Sequence, residues 1–304
     1  MAADVSFAKT AEHLKSIGGV ALSAETIRKH SERKAAAVAR WQARETDSAA
    51  TFEAVAGQWE FAVDAGKVNT LERGWRDLKI AVVQKRPVAK AANPDEWQTR
   101  ELPAASARMM WARIATSKQF RRNWRPRLKR LGVKAMADVH VLGDGASWIW
   151  KSANRDLSGC LQTLDVYHAC EHIAEAGKKL YGEQTPAATA FFERGRSLLL
   201  AEGWGGICRL VGEEYAREDT PLRRKILEAM TRYFAAHITR LNYRERLACG
   251  QAIGSGAVEG GAKTLGLRLK ARGARWRQTN AQAMAALICV RNGSAGSSSW
   301  MAAA

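Results

Sequence analysis

The sequence predicts an α/β protein built on a mixed sheet with flanking helices, and three observations carry that prediction. Apolar residues alternate with period two around residues 59–64 and 76–86. A short apolar run, ADVHVLGDG, ends abruptly in Gly143-Asp144-Gly145, as a buried strand with an open C-terminal end does. From Tyr167 onward helical spacing dominates, so strands give way to helices along the chain.

Residues 7 to 34 read as two helices, AEHLKSI and SAETIRKHSERKA, around Gly18-Gly19, with Ser23 as N-cap of the second. The pair is helix-turn-helix-like and fits DNA recognition, although any packed helix pair shares the pattern. Residues 1–50 form an N-terminal region, with the polar RWQARETDSAA, residues 40 to 50, as its boundary.

The first strand starts at Trp59, where Trp59, Phe61 and Val63 alternate with Glu60, Ala62 and Asp64; Asp64 lies on the face opposite the aromatics. RDLKIAVVQKR continues with Leu78, Ile80 and Val82 in period two. A third strand is expected through QTRELPA, after which Pro103 and Ala104 open a helix spaced on Ala107, Met110, Trp111 and Ile114. Three sequential strands imply an antiparallel meander. Pro126 is expected to interrupt the basic stretch KQFRRNWRPRLKR. ADVHVLGDG and CLQTLD supply two more strands, and a helix starts near Tyr167. The core's first part thus spans 51–182. Residues 183–245 read as a helical insertion, 246–294 as the closing helices, and 295–304 as a disordered tail.

The chain's 304 residues suffice for a substantial core. Its 48 Lys plus Arg against 30 Asp plus Glu give a net charge of +18, and the pI is about 10.1. A polyanionic partner follows, nucleic acid first, with an ordinary basic surface as the plain alternative. No stretch approaches the ~20 apolar residues of a membrane span, and the N-terminus lacks a signal's apolar centre. A cytoplasmic, nucleoid-associated protein is expected. Five widely separated cysteines indicate neither a disulfide framework nor a Cys-x-x-Cys zinc module, and read as small buried side chains.

Phosphoryl transfer on DNA requires charge neutralisation at the attacking and leaving oxygens, which divalent ions held by carboxylates provide. Asp64 on the first strand and Asp144 at the end of a central strand can approach each other if those strands are neighbours. Glu259, in IGSGAVEGGAKTLGLRLKARGARW, is the third candidate. Its helix carries Val258, Ala262, Leu265 and Leu269 as an apolar stripe, with Glu259, Lys263 and Lys270 on the adjacent face. Each acid alone has an ordinary reading: a strand-end residue, a turn residue, and an ion-pair partner of Lys263.

Two basic clusters fit a DNA path. Lys118, Arg121, Arg122, Arg125, Arg127, Lys129 and Arg130 surround Trp124, and the last helix adds Lys263, Arg268, Lys270, Arg272, Arg275 and Arg277. Trp148 and Trp150, just past Asp144, are either core or a stacking platform for a base. His168, Glu171 and His172 also spell His-x-x-Glu-His, an inverted zinc-hydrolase pattern with Glu245 as a possible third ligand.

Five segments together resemble one family: FAVDAGKVNTLERGWRDLKIAVV, VLGDGASWIW, LDVYHACEH, IGSGAVEGGAKTLGLRLKARGARW and, more loosely, GGVALSAETIRKHSE. The chain resembles the DDE transposases of bacterial insertion sequences, specifically the ISKra-type group related to the Mutator-like superfamily. The resemblance implies an RNase H-like core and Asp64, Asp144 and Glu259 as a catalytic triad holding two Mg²⁺ or Mn²⁺ ions. It implies Asp165 and His168 as an accessory pair, and the insertion accounts for the 115 residues between Asp144 and Glu259 against 80 between the aspartates. It further implies terminal inverted repeats and target DNA as partners, and a homo-oligomer assembled on DNA. The alternative is a shortened copy that binds DNA without completing strand transfer.

Overall fold

The computed structural model describes residues 1–217 and 220–294; the tail segment 295–304 lies outside them. Five strands form one open sheet in the order β3-β2-β1-β4-β5. β1 (Gln58–Thr70) and β2 (Gly74–Arg86) form a long antiparallel hairpin, and β3 (Ala107–Ile114) pairs antiparallel with β2. β4 (Val139–Gly143) and β5 (Leu161–Leu164) run parallel to β1, so the sheet is mixed, as predicted.

The third strand is not where the sequence pattern put it. Residues 98–104 carry no strand, no helix opens at Pro103 and Ala104, and Ala107–Ile114 is β3 rather than helix. The cause is two-sided burial. Met109 and Trp111 pack on one face of the sheet and Met110 and Ala112 on the other. The polar alternation that marks a half-exposed strand is therefore missing, and the remaining apolar spacing mimics a helix.

One face of the sheet, with Phe61, Val63, Val83 and Trp111, is covered by α4 (Ser117–Arg121), α5 (Trp124–Arg130), α6 (Ser147–Asp156) and α7 (Val166–Tyr181). Phe61 stacks on Trp111 at 5.8 Å and meets Trp124 edge-on at 5.2 Å. Trp124 is fully buried and belongs to the core, not to a DNA path. Pro126 interrupts nothing. It sits in the first turn of α5, where its missing N–H is no loss, and the break between α4 and α5 falls at Arg122 and Asn123. The predicted helical segment comprises α8 (Pro186–Glu202), α9 (Trp204–Arg217), α10 (Pro221–Ala235) and α11 (Tyr243–Ala248). Its Phe191, Leu198, Leu227 and Phe234 belong to the same apolar cluster as Phe61 and Trp124.

The other face, with Ala62, Ile80, Val82 and Met110, lies under α12 (Gly256–Leu269) and α13 (Gln278–Arg291). At the N-terminus, α1 (Phe7–Gly18) and α2 (Ala24–Arg44) flank a turn in which Gly19 takes a left-handed conformation. Ser23 caps α2 by accepting from Thr26 N at 3.0 Å, as expected. Residues 40–50 hold the end of α2 and the start of α3 (Asp47–Glu53). Gln42 there donates to the Met110 carbonyl at 2.8 Å, which ties the N-terminal helices to β3. Cys170 and Cys289 are buried as expected, whereas Cys208 and Cys249 are exposed. Among the described residues no helix is long and apolar enough to cross a membrane.

Candidate active site

The acidic residues meet because of strand register. In the parallel β1–β4 pair, Val63 is opposite Gly143, and in the β4–β5 pair, Gly143 is opposite Leu164. The next residue on each chain is an aspartate: Asp64, Asp144 and Asp165. They form one row across three adjacent strands, Asp64 within β1 and Asp144 and Asp165 just past the ends of β4 and β5, at the spacing of about 4.8 Å that neighbouring strands impose. Asp165 N donates to the Gly143 carbonyl at 2.8 Å, so the alignment continues past the last paired residue.

Each aspartate is held by its own local geometry. Asp64 Oδ1 accepts from Ala65 N at 2.6 Å, and Asp144 Oδ1 from Ala146 N at 2.8 Å. Asp165 is fully buried and caps α7, its Oδ1 accepting from His168 N at 2.9 Å. Its Oδ2 accepts from Ser255 N at the start of α12. Ser255 Oγ in turn donates to Glu259 Oε1 at 2.9 Å. The chain Asp165–Ser255–Glu259 suspends the third acid beside the row.

The α12 stripe behaves as the sequence predicted. Val258, Leu265 and Leu269 are buried against the sheet, and Glu259, Lys263 and Lys270 are exposed on the adjacent face. Asp165, His168 and Glu259 bring ligand atoms within 4.8 Å of one another, a grouping that could hold a metal ion. The accessory pair therefore lies closer to Glu259 than the sequence implied. Asp64 and Asp144 stand next to this group without joining it at that distance.

The electrostatics tie the groups together. Burial raises the Asp144 carboxyl above its ordinary range, and the nearby Asp64 and Asp165 add to the rise. Burial likewise raises Glu259, with Asp165 and Asp64 contributing. Crowded carboxylates resist ionising together, and a divalent cation relieves that repulsion.

A groove of about 340 Å³ runs from Asp64 between the hairpin and α12, and Lys67, Lys263 and Lys270 line it. Arg272, Arg275 and Arg277 are exposed, but they lie in the loop between α12 and α13 rather than on the helix. Arg122, in the turn between α4 and α5, and Arg125, on α5, are exposed. Two proposed DNA contacts are otherwise engaged. Arg121 forms an ion pair with Asp156 at 2.6 Å. Arg268 is buried, donates to the Ala2 carbonyl and lies over the rings of Phe7 and Trp276.

Trp148 is half-buried beneath Lys79, whose Nζ lies 4.4 Å from the ring centroid, while Trp150 is core. His172 stacks on Tyr233 of α10 at 3.4 Å, and neither it nor Glu245 belongs to the metal-competent grouping among the described residues. Tyr233 is a site residue that the sequence reading missed. A Cβ on Gly145 would come within 2.6 Å of its hydroxyl, so the glycine after Asp144 admits α10 to the site.

Compared with protein-family models and with curated protein sequences, the chain gives no significant match.

Proposed function

We propose that this chain is a DNA transposase of the DDE type, with an RNase H-like core and Asp64, Asp144 and Glu259 as its catalytic acids. One observation carries the reading: Asp64 and Asp144 directly follow the paired residues Val63 and Gly143 on adjacent parallel strands, with Glu259 suspended next to them. The strand order β3-β2-β1-β4-β5, with only the hairpin and β3 antiparallel, supports the RNase H-like assignment. The net charge of +18 and the lysine-lined groove beside Asp64 support a nucleic-acid substrate.

The reaction is hydrolysis of a phosphodiester at an element's end, releasing a 3′-hydroxyl, followed by attack of that hydroxyl on a target phosphodiester, which breaks one target P–O bond and leaves a free target 3′-hydroxyl. Divalent ions bound by Asp64, Asp144 and Glu259 would neutralise charge on the phosphoryl oxygens and acidify a bound water. Asp165 acts through others: it fixes the α7 N-terminus and, through Ser255, the direction of Glu259. Lys67, Lys263 and Lys270 would hold strand phosphates along the groove, and His168 flanks the site beside Glu259. Partners are then terminal repeats and target DNA, with two copies needed to hold two ends.

The test is nicking of a plasmid carrying the element's ends, in Mg²⁺ or Mn²⁺. Nicking by the wild-type protein should vanish in Asp144→Asn and Glu259→Gln proteins. Undiminished nicking by either variant overturns its residue's assignment, and a folded wild-type protein that never nicks overturns the activity.

A further inference from the structure

A second concavity is lined by Ser255 and by Val166, the residue after Asp165. It has a volume of about 600 Å³, within the roughly 300–1,000 Å³ range of small-molecule sites, and opens between the sheet, the segment after β2 and the first turns of α12. Its charge is unusual. Arg86, Arg100 and Arg108 all line it, against one carboxylate, Glu60. Arg86 takes that carboxylate, its Nε lying 3.0 Å from Oε1. Arg108 Nε donates to the neutral Gln84 Oε1, at 3.0 Å. Arg100 Nη2 donates to the Gln251 carbonyl at 2.8 Å, and its Nη1 is buried with no hydrogen-bond partner among the described residues.

Two guanidinium groups are thus half-withdrawn from water with no carboxylate of their own, since the one acid near them, Glu60, is paired with Arg86. Such an arrangement costs free energy unless an anion enters. Burial, followed by repulsion from Arg86, lowers the pKa of both Arg100 and Arg108, which is the same strain in another form. The planar fork of arginine matches phosphate oxygens in pairs. At the mouth, Trp97 and Tyr167 meet with ring centroids 5.5 Å apart, and Tyr167 is 56% exposed. An exposed ring beside a cationic pocket can stack a base of any identity.

We propose that this concavity is a nucleotide subsite, which seats one nucleotide of a strand with its phosphate on Arg100 and Arg108 and its base against the Trp97–Tyr167 pair. It deepens the nucleic-acid reading above and rests on it. Ser255 lines the concavity and also carries Glu259, so a strand anchored here passes directly to the acidic row.

The experiment is calorimetric titration of the metal-free full chain, in EDTA, with dAMP, deoxyadenosine and inorganic phosphate. Saturable 1:1 binding of dAMP is expected, tighter than either fragment. Arg100→Gln and Arg108→Gln should each weaken it roughly ten- to hundredfold, the range of a lost charge-assisted hydrogen bond. Gly260→Leu provides a variant that leaves the arginines in place: a Cβ there meets nothing within 4 Å, and the larger side chain should fill the space and abolish binding.

The subsite is overturned if dAMP gives no saturable heat. It is also overturned if inorganic phosphate binds as tightly as dAMP, or if all three variants, shown folded by their melting curves, bind like wild type. Plasmid nicking by a wild-type protein that ignores dAMP removes the subsite and leaves the transposase reading. Arginine-dependent dAMP binding by a protein that never nicks keeps the subsite and removes the activity.

Discussion

Replacing Asp165 with alanine should destabilise the protein by about 2–4 kcal/mol, and the structure shows how that figure arises. The Asp165 side chain is fully buried and makes two bonds to backbone N–H groups, those of His168 and Ser255. Loss of an N-cap acceptor costs about 1 kcal/mol. The Ser255 N–H, itself buried, would lose its partner, and an unsatisfied buried donor costs about 1–3 kcal/mol. In a domain of this size the melting temperature should then fall by roughly 4–8 °C. Asp165→Asn retains an oxygen to cap His168 but turns an amide donor toward the Ser255 N–H, so an intermediate loss is expected. Urea unfolding followed by tryptophan fluorescence, with melting curves alongside, measures both variants. An Asp165→Ala protein within about 0.5 kcal/mol of wild type would refute the view that this residue joins α7 to α12.

Three further outcomes follow from the same geometry. Because burial and the neighbouring Asp64 raise the Asp144 carboxyl, its ionisation penalises the metal-free fold as pH climbs from the ordinary carboxylate value through the raised one. Asp144→Asn should therefore melt above wild type in EDTA at neutral pH, with the gap closing in acid; coincident curves at neutral pH refute the crowding. Burial, aided by Arg246, pushes His140 down to about 3, and its Nε2 lies 2.8 Å from Thr163 Oγ1. Protons then favour the unfolded chain as pH falls from about 6.5, at up to about 1.4 kcal/mol per pH unit. Between pH 7 and 5 wild type should lose about 2 kcal/mol more than His140→Gln, and equal urea midpoints for the two across that interval would contradict it. Finally, Lys263→Ala and Lys270→Ala should weaken DNA binding alike on unrelated sequences, each reducing the slope of log affinity against log salt by about 0.9. An unchanged slope removes these lysines from the phosphate path.

The hairpin, the two later strands and the helical run from Tyr167 were legible because their patterns depend on local chemistry: alternation in β1 and β2, a Gly-Asp-Gly stop after β4, helical spacing beyond. The third strand was not, since burial on both faces erased the polar half of its signal. The site divides in the same way. Asp64, Asp144 and Glu259 could be singled out from a strand face, a strand end and a helix face. That Asp165 falls in line with the first two depends on the register of β5 against β4, which local sequence does not encode. Arg268 carries the same charge as Lys263 and Lys270, and its burial was visible only once Phe7 and Trp276 had closed over it. Tyr233 reaches Asp144 from almost ninety positions away in the sequence, so only the folded chain reveals their proximity.

The segment from α8 to α11 follows the last strand and lies between α7 and α12, yet Phe191, Leu198, Leu227 and Phe234 sit in the same apolar mass as Phe61 and Trp124. An excised version of the chain, with a short linker from residue 182 to 249, would open the face of α7 that packs on α8 and α10 to water. The segment is part of the keel rather than cargo: efforts to shrink the protein should trim elsewhere, and heating should melt sheet and segment in one transition.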